Sequence, residues 1–555
     1  MTGSTQDVVT HRWGMLLLVV VLGMLWFAWP GYRDLNEPDE GRYAEIPREM
    51  AVTGDWLTPR LDGFKYFEKP PLQYWATAGL YRVLGTSVAT SRLWCILMGF
   101  VGILWVIRVG GILFGPAAGG YAGLSLASML LYVAMGHFNT LDMGVAVCLM
   151  GGMGALLLAQ SCRATDPRAC RHYMLLGWAA LAGACLSKGM IGLLLPSASL
   201  LLYTLWQRDW TLWRHLHLGW GLLLFLALTV PWFWGVSLVN PEFPHFFFIH
   251  EHLERYTSTV HGRTGVWWYF LGVLLLGSIP WTHRALVVLF RPGFARRGEK
   301  GGFDPVRLLW VYIVFTLFFF SISQSKLIPY ILPLLPPLAI LLGRHLAREV
   351  HGLVRVGWET RILAIVALLL VVGGIHVDLF ADDRHPVEML LHIRPWLLGA
   401  ASVLAVAVGI SLWRHCRGQT ALITLVTATL LAFQCLSWGA HAFSPSNSSQ
   451  EAAQAIASVG DATTPVYAVN CYFQSLPFYL NRTVVLVQFK GELEFGIQQE
   501  PGRWLADPVL FRQRWLQESQ AVAIFRRDDL KMWRATGLPM RVLHEDQRRV
   551  VVARR

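Results

Sequence analysis

The chain has 555 residues, 54% of them apolar and only 15% charged, proportions that exclude a single soluble core and point to a bilayer as part of the solvent. Its net charge of +12 invites a nucleic-acid reading, but Lys and Arg sit in short loops between apolar runs instead of forming one patch, so no nucleic-acid partner is expected. The 8 cysteines show no paired spacing and predict no disulfide framework.

Apolar runs of about 17 to 25 residues can be placed at 13–30, 92–113, 117–137, 141–160, 172–188, 190–206, 217–238, 266–290, 307–322, 327–343, 362–380, 395–413 and 420–440. That predicts roughly thirteen spanning helices. The first follows Arg12 and ends in Trp-Pro without a small-residue cleavage pattern, so it reads as an uncleaved span rather than a signal peptide.

Alternate loops differ in charge. Arg163, Arg168 and Arg171, then Arg208 and Arg214, then Arg291 to Arg307, then Arg344 to Arg361, then Arg414 and Arg417 mark one side, expected to be cytoplasmic. Residues 31–91, the turns before Asp142 and at Lys188, residues 239–265, Ser321 to Lys326 and the loop from Asp378 to Arg394 face the other side. An odd helix count then places the N-terminus inside and the C-terminal region outside.

Residues 1–443 thus read as a membrane domain that includes the outer loop 31–91, and 444–555 as a small extracytoplasmic α/β domain. Ser444 to Ser449 reads as its linker, Glu451 to Val459 as a helix, and Val466–Val469, Thr483–Gln488, Ala521–Phe525 and Arg548–Val552 as strands.

Charge at the outer face is concentrated in four places. The stretch Glu37 to Met50 holds five carboxylates, among them Asp39 and Glu40, and two arginines, Arg42 and Arg48, with Tyr43 between. A surface helix opened by Pro38, with an acidic first turn, is the alternative reading. Tyr66-Phe67-Glu68-Lys69-Pro70-Pro71 follows, where a lysine among interfacial aromatics suits a lipid phosphate.

Asp142 opens an apolar helix, either as a cap or as a carboxylate retained at membrane depth for use. His250-Glu251-His252-Leu253-Glu254-Arg255 offers ligands for a divalent metal, with Glu68 and His250 as the first pair, or simply lines an interface. Lys326 and Tyr330 begin the tenth helix, where a lysine can also snorkel; Lys188 and Arg108 are read that way. No cofactor is required by these patterns, and the chain is read as a monomer.

Three ordered segments, Glu37 to Met50, Phe67-Glu68-Lys69-Pro70-Pro71-Leu72 and Ser325 to Pro333, resemble the protein O-mannosyltransferase superfamily of GT-C glycosyltransferases, most closely the bacterial lipid A aminoarabinose transferases. The resemblance covers most of the membrane part. It implies catalytic roles for Asp39, Glu40 and Asp142, and lipid-phosphate or sugar contacts for Arg42, Tyr43, Tyr66, Glu68, Lys69, Arg255, Lys326 and Tyr330.

It further implies an undecaprenyl-phosphate-linked sugar donor and a lipid A acceptor at the outer face of a bacterial inner membrane, with resistance to cationic peptides as the output. Gly41 departs from the motif, where many relatives carry a larger or hydroxylated residue; Ile328 departs where a second proline is frequent. A protein O-glycosyltransferase shares the same clusters and stays open, as does a lipid flippase, although charges lining a path through the membrane would be expected of the latter.

Overall fold

The computed structural model describes residues 19–28, 30–254, 265–290, 302–349, 357–413, 418–461 and 463–555. Helix occupies every one of the thirteen expected positions. Among the described residues eight helices are long and apolar enough to cross a membrane, or nine if the bent pair Pro116–Ser128 and Leu130–Gly136 is one span.

The other four positions fall short for visible reasons. Of the first, only 19–28 and 30 are described, with helix over 19–26. The helix Pro167–Lys188 carries Arg168 and Arg171 in its opening turn, Ile191–Gln207 has 17 residues, and the eighth run is broken into Tyr269–Gly277 and Thr282–Phe290.

The two broken spans repair one another. Polar backbone freed inside a bilayer must find a partner. At the 68° bend after Ser128, the Leu130 amide donates to the Ile279 carbonyl at 3.1 Å, and the Trp281 indole donates to Ser128 Oγ at 2.9 Å.

After the first span the chain leaves the bundle. It forms the helix Asp39–Thr53, a short hairpin of β1 (Arg60–Leu61) and β2 (Phe64–Lys65), and the helix Leu72–Leu84. Beyond the last span lies a six-stranded sheet of β3 (Val466–Val469), β4 (Val485–Val487), β5 (Trp504–Leu505), β6 (Val522–Arg526), β7 (Met540–Glu545) and β8 (Arg549–Arg554), in the order β5-β4-β3-β6-β8-β7. Strands β5, β4, β3 and β6 run parallel, while β8 and β7 close the edge antiparallel.

The expected strands and helix are present, the helix as Gln450–Ala457. Strands β5 and β7 add to them: β5 is only 2 residues long, and β7 alternates too weakly in burial to leave a period-two signal.

The segment 444–449 is not a loose linker. Ser444–Asn447 forms a helical turn. The buried Arg549 donates to the carbonyl oxygens of Ser446 at 2.9 Å and Ser448 at 2.5 Å, while Ser449 Oγ and Ser475 Oγ both donate to Glu37, at 2.5 and 2.6 Å.

Burial follows the same seam. Tyr43, Ile46, Met50, Leu61, Phe64, Tyr66 and Tyr74 of the first outer loop share one apolar core with Ala453, Ile456, Ala468, Leu486 and Val551. The outer loop and the sheet therefore fold as one body across position 444.

Candidate active site

Of the acidic first-loop motif, Glu40 and Asp39 face opposite fates. Glu40 is wholly buried: Arg33 donates to it at 2.6 Å, Arg92 at 2.8 Å, and the amides of Asn36 and Asn139 at 3.0 Å each. Burial opposes its charge, but the two guanidinium groups outweigh that cost and hold its carboxyl well below the usual range. With its oxygens engaged on all sides, Glu40 ties the loop to two spans. Such surroundings suit a positioning group better than the catalytic one expected of it.

Asp39 stands at the helix start with its side chain 51% exposed, 3.2 Å from Arg42. Arg42 reaches the other way to Glu492 at 2.5 Å, and Gln474 donates to Glu492 at 2.6 Å. Both Gln474 and Glu492 come from the C-terminal region. Burial pushes the Glu492 carboxyl up, against the pull of Arg42.

Tyr43 stacks on Tyr74 at 6.3 Å, and the buried hydroxyls of Tyr66 and Tyr74 have no hydrogen-bond partner among the described residues. A buried donor left unmatched costs free energy unless a ligand or water completes it. These tyrosines cluster with Arg42, Glu68 and Glu492.

Glu68 also belongs to the lining of a predominantly apolar cavity of about 480 Å³, with Lys69, Lys188, Glu251, Ser323, Ser325 and Tyr330 among Met190, Ile191, Leu194, Phe248, Phe319 and Phe320. Lys69 lies 3.2 Å from Glu251 and 3.8 Å from Glu68. Lys188 donates to Asp142 and lies 4.7 Å from the Tyr330 ring centre. A smaller adjoining cavity is lined by Asp142, Lys188 and Tyr330. The result is an apolar slot with two lysines, each already beside a carboxylate, at its polar end.

Lys326 is brought near but not into this slot. It donates to the Ser321 and Ser323 carbonyls at 2.8 and 3.0 Å and lies over the Phe270 ring at 5.4 Å. It closes the turn next to Ser323 and Ser325 of the cavity lining, and these bonds suit support of the wall.

Arg255 lies outside the described residues. His250 stacks on Phe246 at 5.3 Å, and among the described residues no group of three or more His, Cys, Asp and Glu side chains gathers to hold a metal. The expected pairing of Glu68 with His250 as a metal site gains no support from this arrangement.

Sequence reasoning missed Glu492, Gln474 and Tyr74, read Glu251 only as a candidate metal ligand, and set Lys188 aside. One signal was available: Lys188 and Asp142 were both placed at outer helix ends, so opposite charges at one depth were on hand to pair. Nothing local singles out Glu492.

The C-terminal residues 452–554 match the family model described as the aminoarabinose transferase C-terminal domain, and residues 68–234 match that of the dolichyl-phosphate-mannose-protein mannosyltransferases. A crystal structure of ArnT from Cupriavidus metallidurans bound to undecaprenyl phosphate superposes with a TM-score of 0.88 at 35% identity, covering 97% of this chain and 98% of that one. Its apo form gives 0.87 at the same identity, covering 98% of each.

An undecaprenyl phosphate-alpha-4-amino-4-deoxy-L-arabinose arabinosyl transferase of Pseudomonas fluorescens is 30% identical over 451 residues, 76% of this chain and 77% of that protein. That of Shewanella sediminis is 29% identical over 535 residues, 91% and 92% of the two chains. Fold and site together define a polytopic membrane glycosyltransferase of the GT-C type, with a C-terminal α/β region packed on its first outer loop. Within that class the chain belongs to the family of undecaprenyl phosphate-aminoarabinose arabinosyl transferases.

Proposed function

We propose that this chain moves 4-amino-4-deoxy-L-arabinose from undecaprenyl phosphate to the phosphate groups of lipid A, at the outer face of a bacterial inner membrane, and so confers resistance to cationic peptides such as polymyxin. In this reading the N-terminus is cytoplasmic, and residues 444–555 form a periplasmic domain on a transmembrane domain of residues 1–443. The observation that carries the reading is the apolar cavity ending in Lys69 and Lys188: a polyprenyl chain suits its walls and a phosphate its cationic end.

Chemistry follows from that placement. The bond between the sugar's anomeric carbon and the carrier phosphate breaks, undecaprenyl phosphate leaves with the electron pair, and a lipid A phosphate oxygen forms the new bond. The acceptor is already an anion at neutral pH, so no strong base is needed. Lys69 and Lys188 stabilise the charge gathering on the departing phosphate.

Asp39, exposed beside Arg42, pairs with the ammonium of the sugar, while Asp142 holds Lys188 in place. Arg42, Tyr43, Tyr66, Glu68 and Tyr330 orient the donor. A single displacement inverts the anomeric carbon.

The test is mass spectrometry of lipid A from a polymyxin-sensitive bacterium that makes the lipid-linked donor and lacks its own transferase, with and without this chain. Addition of one aminoarabinose mass that disappears in Asp39→Asn is expected. Unmodified lipid A from well-expressed protein would sink the reading in favour of another donor or a protein acceptor.

A further inference from the structure

A second cavity, of about 370 Å³, opens in the C-terminal region, away from the lysines of the slot. Its position is dictated by the sheet. From β3 the chain moves outward to β4 and β5, then returns to place β6 on the opposite side of β3. Where strand order reverses in this way, the loops leaving adjacent parallel strands diverge and leave a crevice at the strands' carboxyl ends.

Here the crevice is lined by the chain from Cys471 to Phe473, which follows β3, by Arg526, Arg527 and Asp528 at the end of β6, and by Gln547 and Arg548 from the turn before β8. Asn470, at φ 53°, turns the chain out of β3 in the left-handed conformation, with its amide donating to the Val487 carbonyl at 2.8 Å.

The lining is strongly cationic. Arg384, Arg526, Arg527 and Arg548 face a single carboxylate, Asp528. Arg527 is paired outward with Glu545 at 3.1 Å, and Arg548 donates to the Ser446 carbonyl at 3.0 Å. Burial lowers the Arg548 guanidinium from its ordinary value, and the neighbouring Arg549 and Arg384 add to the effect despite Glu37. Like charges crowded around a concave surface repel, and an anion relieves that cost.

Arg384 adds the membrane coordinate. It lies in the loop between the spans Gly357–Ile375 and Val387–Leu412, three residues before the second of them, at the depth where lipid headgroups begin. Guanidinium forks match phosphate oxygens in pairs, which a soluble metabolite or a headgroup would satisfy alike; the position beside two span ends favours the headgroup.

We propose that this crevice binds a phosphate of the acceptor glycolipid's headgroup, anchoring it outside the reacting slot. Identification of the lipid as the acceptor rests on the transferase reading; the phosphate site itself does not.

The experiment uses the full-length protein in nanodiscs in the Lys69→Ala background, so that phosphate binding in the slot is suppressed. Binding of inorganic phosphate and of a phosphorylated glucosamine disaccharide bearing short acyl chains is compared for that protein and for the Arg384→Gln/Arg526→Gln variant. Both arginines are exposed, so the fold should tolerate the change, and Arg384→Lys/Arg526→Lys should recover part of the affinity.

A loss of disaccharide affinity of tenfold or more, with inorganic phosphate bound more weakly than the disaccharide throughout, is the expected result. Unchanged affinity in the glutamine variant overturns the site. Inorganic phosphate bound as tightly as the disaccharide overturns the headgroup and leaves a free-ion site. Because no transfer is measured, failure of the transferase reading alone would leave the binding result standing.

Discussion

The Lys69 ammonium lies 3.2 Å from the Glu251 carboxylate, joining the first outer loop to a helix 182 residues further along the chain at the mouth of the apolar cavity. Glu251 fixes the lysine's direction, and an incoming phosphate meets a cation that is already aimed. Lys69→Ala is therefore expected to lower kcat by on the order of 10² or more. Lys69→Met with activity like the parent, measured with purified lipid-linked donor, would remove Lys69 from the mechanism.

Asp142 and Lys188 pair between the antiparallel helices Asp142–Cys162 and Pro167–Lys188. Breaking such a pair by removing one partner leaves a charge stranded in a poor solvent, at a cost of about 3 to 5 kcal/mol. Lys188→Met should lower the thermal midpoint, and Asp142→Asn/Lys188→Met should restore it without restoring transfer. Recovery of both in the double variant would make the pair purely structural.

Glu492 reaches the first outer loop from the C-terminal region and holds Arg42 at 2.5 Å. Glu492→Gln keeps the shape and the neighbouring Gln474 while removing the charge, so the fold should persist and kcat/KM should fall about tenfold, the effect of roughly 1.4 kcal/mol in transition-state binding. An unchanged kcat/KM would detach the C-terminal region from the chemistry.

Glu45, Glu49 and Asp62 crowd together within the first outer loop. Burial raises all three, and Asp62 is pushed up to about 8 although it accepts the Val484 amide at 2.8 Å. A carboxyl whose folded value exceeds its unfolded one contributes stability that is full at low pH and is lost as pH rises through the folded value. The thermal midpoint should therefore fall between about pH 4, where the unfolded carboxyls ionise, and pH 8. Asp62→Asn, whose amide oxygen can still accept from Val484, should flatten that decline; an equally steep profile in the variant would acquit Asp62.

The membrane class, the positions of the helices and the acidic and lysine-bearing segments were legible along the chain because the bilayer imposes a length and a polarity on every span, and both are local properties. So were four of the sheet's strands. What the sequence could not distinguish was Asp39 from its neighbour Glu40. Adjacent on a helix they look alike, yet one faces solvent while the other is sealed by Arg33 and by Arg92, 52 residues away.

The same limit governs Gly41, a departure from the expected motif with no local explanation. A Cβ there would lie 2.5 Å from the Ser475 backbone nitrogen, so the glycine is what lets the C-terminal region close onto the first outer loop. Sequence by itself determined that this is a multi-span membrane protein, roughly where its helices lie and which loops gather charge. Only the tertiary structure decided which charges are buried against one another, which line the slot, and that Glu492 belongs to the site, because ion pairing and desolvation depend on distances between segments hundreds of residues apart.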